Sequence, residues 1–138
     1  LDVTTGAWWY LWARRRAASF TAMLDMLLAA YPNAPTVAVI SDNDGIHHAA
    51  TVEQWTADHP RLRLIYGAAY SPHDNPVERV WAALRRHLAN TAVTWTDRIH
   101  QARVFFRQRA PDQMLTTAAP WSSPWLPRSY AQNFRESA

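Results

Sequence analysis

Two carboxylates in this chain stand where the sequence predicts that rigid elements end or begin. Asp42 directly follows a short apolar run, and Glu78 comes three residues after Asn75 in a segment typical of a helix start. Carboxylate oxygens are the ligands that Mg²⁺ prefers in proteins, and a pair of such ions can cleave phosphodiester bonds. We therefore expect Asp42 and Glu78 to hold metal ions for phosphoryl transfer, if they are more than ordinary surface acids.

Local structure alone offers an explanation for both acids. Asp and Asn commonly end strands and start turns, so the position of Asp42 by itself favours a structural role. Asn75, Pro76 and Glu78 have the spacing of a capping box, with Asn in place of Ser or Thr. The two explanations are compatible, because a carboxylate fixed near the positive end of a helix stays ionised and able to bind a cation.

Polar neighbours of Asp42 are candidates for supporting roles. Asn43 is predicted to orient the loop through hydrogen bonds, and Asp44-Gly45 is typical of a turn. His47 or His48 could contact a phosphate or the scissile strand. Metal binding by these two histidines is disfavoured, because no third nitrogen ligand accompanies them.

Alternating elements are predicted to position these residues. The predicted strands cover residues 36–41 and 62–66, and the predicted helices cover residues 16–31, 49–58, 76–90 and 96–110. A strand, helix, strand, helix order predicts parallel pairing through a crossover. We therefore predict an α/β domain, three-layered, with its chemistry at the carboxyl ends of the strands, where Asp42 lies.

The two ends of the chain are less regular. A hairpin of two short strands is predicted within residues 1–12, and Ser19 and either Thr94 or Thr96 are candidate helix caps. Residues 119–138 combine proline with tryptophan, which favours an extended tail that packs through its aromatic rings. We therefore place one domain at residues 1–118 and a separate tail at residues 119–138.

Charge and composition narrow the class of partner. The chain has a net charge of +3 and a sequence pI of about 9.8, and all 14 of its basic residues are arginine. A basic chain weakly favours a polyanionic partner. The predicted contacts to a DNA backbone are Arg14, Arg15, Arg16, Arg79 and Arg86. Solvated surface charge is the alternative for all five.

Other compositional features exclude whole classes of protein. No run of 18 apolar residues is present, which argues against a membrane partner. The chain contains no cysteine, which removes disulfides, thiolate metal sites and cysteine nucleophiles, and is compatible with a reducing cytosol.

Two segments together resemble a known family. Residues 39–47 (Val-Ile-Ser-Asp-Asn-Asp-Gly-Ile-His) resemble the second-aspartate motif of DDE transposases. Residues 70–81 (Tyr-Ser-Pro-His-Asp-Asn-Pro-Val-Glu-Arg-Val-Trp) resemble their third-acid motif. The match is to the bacterial insertion-sequence branch of the mariner superfamily, and the Ser-Pro-x-x-Asn-Pro-x-Glu-x-x-Trp pattern is rather specific. The resemblance covers roughly residues 1–110.

This resemblance implies a ribonuclease H-like fold of the α/β/α type and a catalytic trio of two aspartates and a glutamate. By motif position Asp42 is the second acid and Glu78 the third, with Asn43, His47 and Asn75 in auxiliary roles. It implies two Mg²⁺ ions in the intact enzyme, with Mn²⁺ as a substitute. It also implies cleavage and strand transfer of transposon ends and target DNA by a homodimer in the bacterial cytoplasm, associated with the nucleoid.

The family's first aspartate lies on a strand upstream of the Thr5-Gly6 turn, so the sequence is expected to begin after it, as a domain truncated at its N-terminus. Asp2 is the remaining candidate, but it lies closer to Asp42 in sequence than the family's first aspartate does to its second. We therefore expect impaired catalysis in this chain. The alternative is an inactive transposase remnant that acts as a DNA-binding or protein-interaction module.

Overall fold

The computed structural model of the chain describes residues 1–68 and 71–136, with the side chains of residues 133–136 left aside. Its strands are β1 (Val37–Ser41) and β2 (Leu62–Tyr66). Its α-helices are α1 (Ala17–Ala30), α2 (Ala50–Asp58), α3 (Val77–Thr91), α4 (Trp95–Arg107), α5 (Pro111–Ala118) and α6 (Arg128–Glu136). Short 3₁₀ helices cover Gly45–His48, Pro72–Asp74 and Pro120–Ser122. The chain forms two compact units: a strand unit (Trp9–Ser71) and a helical unit (Leu1–Trp8 with the chain from Pro72 onward).

The strand unit contains the parallel pair that the sequence predicted. Val37 lies opposite Leu62 and Ser41 lies opposite Tyr66, so both strands end at the same edge. Among the described residues the sheet consists of these two strands. Mixed helices and parallel strands confirm the α/β class, and helices α1 to α4 lie close to their predicted bounds.

Burial of β1 differs from the prediction. Leu24, Val52 and Leu62 are the buried apolar residues of the strand unit, whereas β1 is buried only at Ser41. The apolar, β-branched run at residues 36–41 is typical of a buried parallel strand, and that expectation is wrong for β1. A strand is buried on both faces only when both faces have packing partners, which the composition of the run does not specify.

The helical unit is built around α3, α4 and α5. Its core combines buried residues from all three helices, namely Val80, Leu84, Ala102, Phe105, Met114 and Ala118. Trp8 stacks on Phe106 with ring centroids 5.2 Å apart and meets Trp81 edge-on at 5.9 Å. Trp81, the last residue of the second motif, therefore helps to fix the face of α3 that turns toward the core.

The predicted hairpin in residues 1–12 is wrong, although its turn is present. The Asp2 carboxylate accepts hydrogen bonds from the backbone and hydroxyl groups of both Thr4 and Thr5. Gly6 follows with φ of +76°, and a Cβ at this position would lie 2.1 Å from the Pro111 carbonyl oxygen. Side-chain turn bonds and a tightly packed glycine therefore replace the pairing of two strands.

Helix boundaries confirm one predicted cap and overturn another. Thr94 caps α4 in a capping box with Asp97, at 3.1 Å to the Asp97 backbone nitrogen. Ser19 is not a cap, because α1 begins at Ala17, and its N-cap residue Arg16 makes no side-chain capping bond. The cap could not be placed correctly because α1 starts without the side-chain signal on which the prediction relied.

The C-terminal region is helical where an extended tail was predicted. The 3₁₀ turn Pro120–Ser122 and helix α6 occupy much of residues 119–136, and Pro120 is fully buried. The Ser123 hydroxyl donates to the Asp74 carbonyl, and the Tyr130 hydroxyl donates to the Val3 carbonyl. These bonds attach the region to the rest of the helical unit, while the domain boundary at residue 118 stays a prediction.

No helix in the described part of the chain is both long enough and apolar enough to cross a bilayer.

Candidate active site: two acids on different elements

Asp42 is the first residue after β1, at the edge where β1 and β2 both end. The ladder continues one step further, because the Gly67 amide donates to the Ser41 carbonyl at 2.8 Å. The Asp42 side chain is 55% exposed, and its Oδ1 accepts a 3.3 Å hydrogen bond from the Asp44 amide. The carboxylate is therefore anchored at one oxygen and open to solvent.

His47 lies against Asp42 inside the 3₁₀ helix Gly45–His48. Its Nδ1 is 3.0 Å from the Asp42 carbonyl oxygen and 3.1 Å from Asp42 Oδ1. Phe20 of α1 stacks on the imidazole with centroids 4.0 Å apart. The His47 side chain is only 13% exposed, so its ring is held between a helix and the acid.

Asn43 ties the loop to the neighbouring strand end. Its Nδ2 donates to the Gly67 carbonyl at 2.6 Å, and its Oδ1 is 3.3 Å from His48 Nε2. The His48 ring packs on Tyr66 at 4.3 Å, and the Tyr66 hydroxyl donates to the His47 carbonyl at 3.0 Å. The loop-orienting geometry predicted for Asn43 is thus present, and β2 contributes to it.

Asp44 shapes the turn and carries an ion pair. Its Oδ1 accepts from the Ile46 amide at 3.1 Å and so caps the 3₁₀ helix. Its Oδ2 pairs with the Arg15 guanidinium. The Arg15 hydrogen bond, followed by the Ile46 amide, lowers the pKa of Asp44, and the same pair raises the pKa of Arg15. Turn chemistry was predicted here, and the partner from far along the chain was not.

Glu78 is half-buried in the first turn of α3, in the helical unit. The Asn75 Oδ1 accepts from the Val77 amide at 3.1 Å, and Pro76 has helical dihedral angles of −55° and −31°. Pro76 is therefore the N-cap residue of α3, one position later than predicted, and Asn75 binds the amide of Val77, the first helical residue. In a reciprocal capping box the Glu78 carboxylate would accept a hydrogen bond from the Asn75 amide. That amide donates instead to the Pro72 carbonyl at 3.0 Å.

The predicted DNA-contacting arginines fall into two groups. Arg14, Arg16 and Arg86 are exposed side chains, and Arg15 is exposed but paired with Asp44. Arg79 is exposed as well, but its Nη1 donates to the carbonyls of Ala118 and Ala119 and to the hydroxyl of Ser122. These bonds give Arg79 a structural role at the end of α5.

Asp42 belongs to the strand unit and Glu78 to the helical unit. Carboxylate oxygens on Asp42 fit a hard divalent cation by type. Within residues 1–68 and 71–136 no group of three or more histidine, aspartate or glutamate side chains is placed to hold a metal ion. Asp2 uses both its carboxylate oxygens in the turn at Thr4 and Thr5.

Sequence reasoning missed Phe20 and Tyr66 as parts of the site. The apolar spacing of residues 16–31 indicates only that Phe20 belongs to the inner face of a helix, and its position gives no local sign that it faces His47. Tyr66 could have been found, because in-register pairing of two five-residue parallel strands places it beside Ser41 and therefore close to Asp42.

Comparisons with known proteins agree with the motifs. Residues 10–102, more than half of the chain, match the family model described as DDE superfamily endonuclease. The chain is also 40% identical over 70 residues to a protein of Shigella sonnei named Insertion element IS630 uncharacterized 39 kDa protein. That match covers 51% of this chain and 20% of the relative, so the chain spans only about a fifth of its length. No solved structure matches the chain significantly.

The family match includes Asp42 and Glu78, and the insertion-element relative supports the bacterial insertion-sequence branch that the motifs indicated. The chain therefore belongs to the DDE superfamily of endonucleases.

Proposed function

We propose that this chain is part of the catalytic domain of a DNA transposase, with Asp42 and Glu78 as two of its metal-binding acids. Membership of the DDE superfamily, which generally uses divalent metal ions, supports the reaction class. The motif positions of the two acids support their roles. Asp42 directly follows a strand, and Glu78 lies in the first turn of a helix whose first amide, that of Val77, donates to Asn75. The ribonuclease H-like, three-layered fold, the bacterial cytoplasm and a homodimeric parent protein belong to the same proposal.

In this proposal Asp42 and Glu78 would hold Mg²⁺, which would supply charge neutralisation at the phosphate and a lower pKa for an attacking water. The chain's own contribution is to position oxygens. Asn43 and His47 hold the loop of Asp42, whose exposed carboxylate can reach a ligand in solvent. Asn75 holds the helix start that carries Glu78. Target and transposon-end DNA would be bound through exposed arginines such as Arg14, Arg16 and Arg86.

We propose further that this chain alone is a weak nuclease. Both carboxylate oxygens of Asp2 accept hydrogen bonds within a turn. We therefore count Asp42 and Glu78, and not Asp2, as motif acids that can bind metal. Two carboxylates bind a divalent ion loosely, with a dissociation constant on the order of millimolar. Metal binding, rather than turnover, is therefore the sharper readout.

Titration calorimetry with Mn²⁺ on the 138-residue chain tests the acids. Weak binding is expected, and Asp42→Ala and Glu78→Ala should each abolish it. Glu53→Ala is the matched control, because Glu53 is an exposed acid on α2 outside both motifs. Binding that survives both motif substitutions contradicts the proposed site. Nicking of supercoiled DNA with Mn²⁺ is expected to be slow or undetectable, and vigorous nicking lost in Glu78→Ala would show that a further acid is present.

Whether the two acids share ions can be tested directly. Fe²⁺ bound in place of Mg²⁺, with ascorbate and peroxide, produces hydroxyl radicals that cut the backbone beside the bound ion. Cuts near both Asp42 and Glu78 are expected, and Asp42→Ala should remove both sets. Cuts confined to one motif would contradict a shared site.

The second candidate is an inactive remnant that binds DNA or protein without chemistry. The basic charge and the exposed arginines favour it. Absence of Mn²⁺ binding at millimolar metal, together with salt-sensitive DNA binding that Arg14→Ala and Arg16→Ala weaken, would support this candidate over the enzyme.

A further inference from the structure

The imidazole of His47 faces two oxygens of one residue. Its Nδ1 lies 3.0 Å from the Asp42 carbonyl oxygen and 3.1 Å from Asp42 Oδ1. Both oxygens are acceptors, and a lone pair on Nδ1 would be repelled by each of them. The geometry therefore assigns the hydrogen of the neutral ring to Nδ1, from which it is shared between the two oxygens of Asp42.

The direction of this hydrogen bond depends on the plane of the ring, and Phe20 lies against that plane. The two rings are stacked, with centroids 4.0 Å apart and an angle of 29° between them. Rotation of the imidazole about its χ2 torsion would tilt it out of the stack. The Tyr66 hydroxyl holds the His47 backbone by donating a hydrogen bond to its carbonyl oxygen.

Among the described residues, the contacts that orient the Asp42 carboxylate fall on one oxygen, Oδ1. His47 Nδ1 and the Asp44 amide both contact Oδ1, and neither of these contacts uses Oδ2. A carboxylate held in this way keeps a fixed direction while one oxygen stays available to a ligand. Of the two contacts to Oδ1, loss of the one from His47 would leave only the longer, 3.3 Å hydrogen bond from the Asp44 amide.

We infer that Phe20 is a positioning residue for Asp42, acting through its stack on His47. Helix α1 thereby sets the direction of an acid that stands after β1, although the two are not neighbours in sequence. The importance of this for metal binding rests on the proposed function, whereas the geometry of the contact does not. Outer contacts that orient a metal ligand commonly change metal affinity when they are removed.

Two measurements on the ¹⁵N-labelled full chain test this inference. The imidazole ¹⁵N shifts of His47, recorded where the ring is neutral, report which nitrogen carries the hydrogen. The Mn²⁺ concentration that broadens the amide signals of Asp42 and Asn43 reports metal affinity at this loop. Wild type is expected to show hydrogen on Nδ1. Phe20→Leu should shift the ring toward the other tautomer and raise the required Mn²⁺ concentration about tenfold.

Two variants separate positioning from general stability. Phe20→Tyr keeps the ring and is expected to restore both readouts. Trp55→Leu removes a comparable stack in the same unit, because Trp55 lies 3.9 Å from the ring of His59 at an angle of 12°. This control should change the thermal midpoint and leave the His47 tautomer and the Mn²⁺ response as in wild type.

The outcomes are distinct. Hydrogen on Nε2 of His47 in wild type overturns the inference, and this measurement needs no variant to fold. A Phe20→Leu chain that folds with an unchanged tautomer and an unchanged Mn²⁺ response also overturns it. If Mn²⁺ does not broaden the Asp42 and Asn43 amide signals of the wild-type chain, the proposed metal site is contradicted. The tautomer measurements still decide whether Phe20 positions Asp42.

Discussion

The surroundings of Asp42 and of Glu78 are built in opposite ways. Asp42 stands in a loop whose shape depends on side chains from α1, β2 and the 3₁₀ helix, through Phe20, Tyr66 and His47. Glu78 lies on a helix whose first amide, that of Val77, donates to the nearby side chain of Asn75. The inner face of this helix packs in the core of the helical unit. The loop acid is held by polar and aromatic contacts from distant positions, and the helix acid by local capping and packing.

This difference predicts different sensitivities. Substitutions in the core should displace Glu78 by unfolding the helical unit, with large effects on stability. Substitutions around Asp42 should redirect one carboxylate with small effects on stability, because the contacts there are exposed or partly exposed.

The largest expected effect comes from the core beneath α3. Phe105 is fully buried in the cluster that holds this helix. Phe105→Ala is expected to lower the free energy of unfolding by about 3–5 kcal/mol, since it removes a ring and leaves a cavity. Urea denaturation measures the loss, and amide exchange along α3 should accelerate. Protection of α3 that survives Phe105→Ala would show that Glu78 does not depend on the core.

Gly6→Ala is expected to cause the next largest loss of stability. The residue has φ of +76°, and a Cβ would meet the Pro111 carbonyl oxygen at 2.1 Å. Because that neighbour is backbone, it cannot move aside cheaply, and a loss of about 2–4 kcal/mol is expected. Thermal unfolding measures it, with Gly45→Ala as the control, because a Cβ at Gly45 meets nothing within 4 Å. Equal midpoints for the two variants would contradict the close approach.

The same contrast explains how far the sequence could predict the site. Asn75 and Pro76 act on their own helix, so the start of α3 was predictable from four residues. Turn chemistry at Asp44 was equally local. Phe20, Tyr66 and Arg15 reach the Asp42 loop across long stretches of chain, and residue types alone do not show which side chains meet after folding.

The fold shows the same limit. Short apolar runs predicted both strands, the order of elements predicted their parallel pairing, and the apolar spacing predicted α1 to α4. The hairpin in residues 1–12 failed because Asp2 satisfies the turn with side-chain bonds. The extended tail failed because its prolines, Pro120, Pro124 and Pro127, all precede α6, which begins at Arg128.

A smaller effect tests whether the arginines of α3 are structural or free to bind DNA. Arg79→Ala is expected to cost about 1–2 kcal/mol, because its guanidinium donates to two carbonyls at the end of α5. Arg86→Ala, from an exposed position of the same helix, should change stability by less than about 0.5 kcal/mol. Chemical denaturation compares them. Equal costs would contradict the structural role of Arg79.

Removing the N-cap side chain of α4 is expected to lower stability by a similar amount, and this loss should depend on pH. Thr94→Ala is expected to cost about 1 kcal/mol, and Thr96→Ala, inside the first turn, should cost less. The hydrogen bonds from Thr94 hold the pKa of Asp97 below its usual value. The stability from this contact is therefore fully present above the unfolded-state pKa and is lost as pH falls through the lower, folded-state value. A gap between wild type and Thr94→Ala that does not narrow in acid would contradict this linkage.

The smallest effect on stability, and the most informative for the loop acid, concerns Arg15 and Asp44. The Arg15 guanidinium is the largest cause that lowers the pKa of Asp44. Arg15→Gln is therefore expected to raise that pKa toward its ordinary value, and added salt should have the same direction of effect in wild type. Arg14→Gln is the matched control and should leave the Asp44 titration unchanged. Carboxyl ¹³C shifts followed through an acid titration measure both.

Because the Asp44 amide also contacts Asp42, the same titration asks how rigidly the loop is held. If Arg15→Gln changes the Asp44 pKa while His47 and Asp42 keep their signals, the aromatic and imidazole contacts alone hold the catalytic candidate. If those signals shift as well, the ion pair belongs to the support of the site. An Asp44 pKa that is the same in Arg15→Gln and in wild type would show that the ion pair does not form in solution.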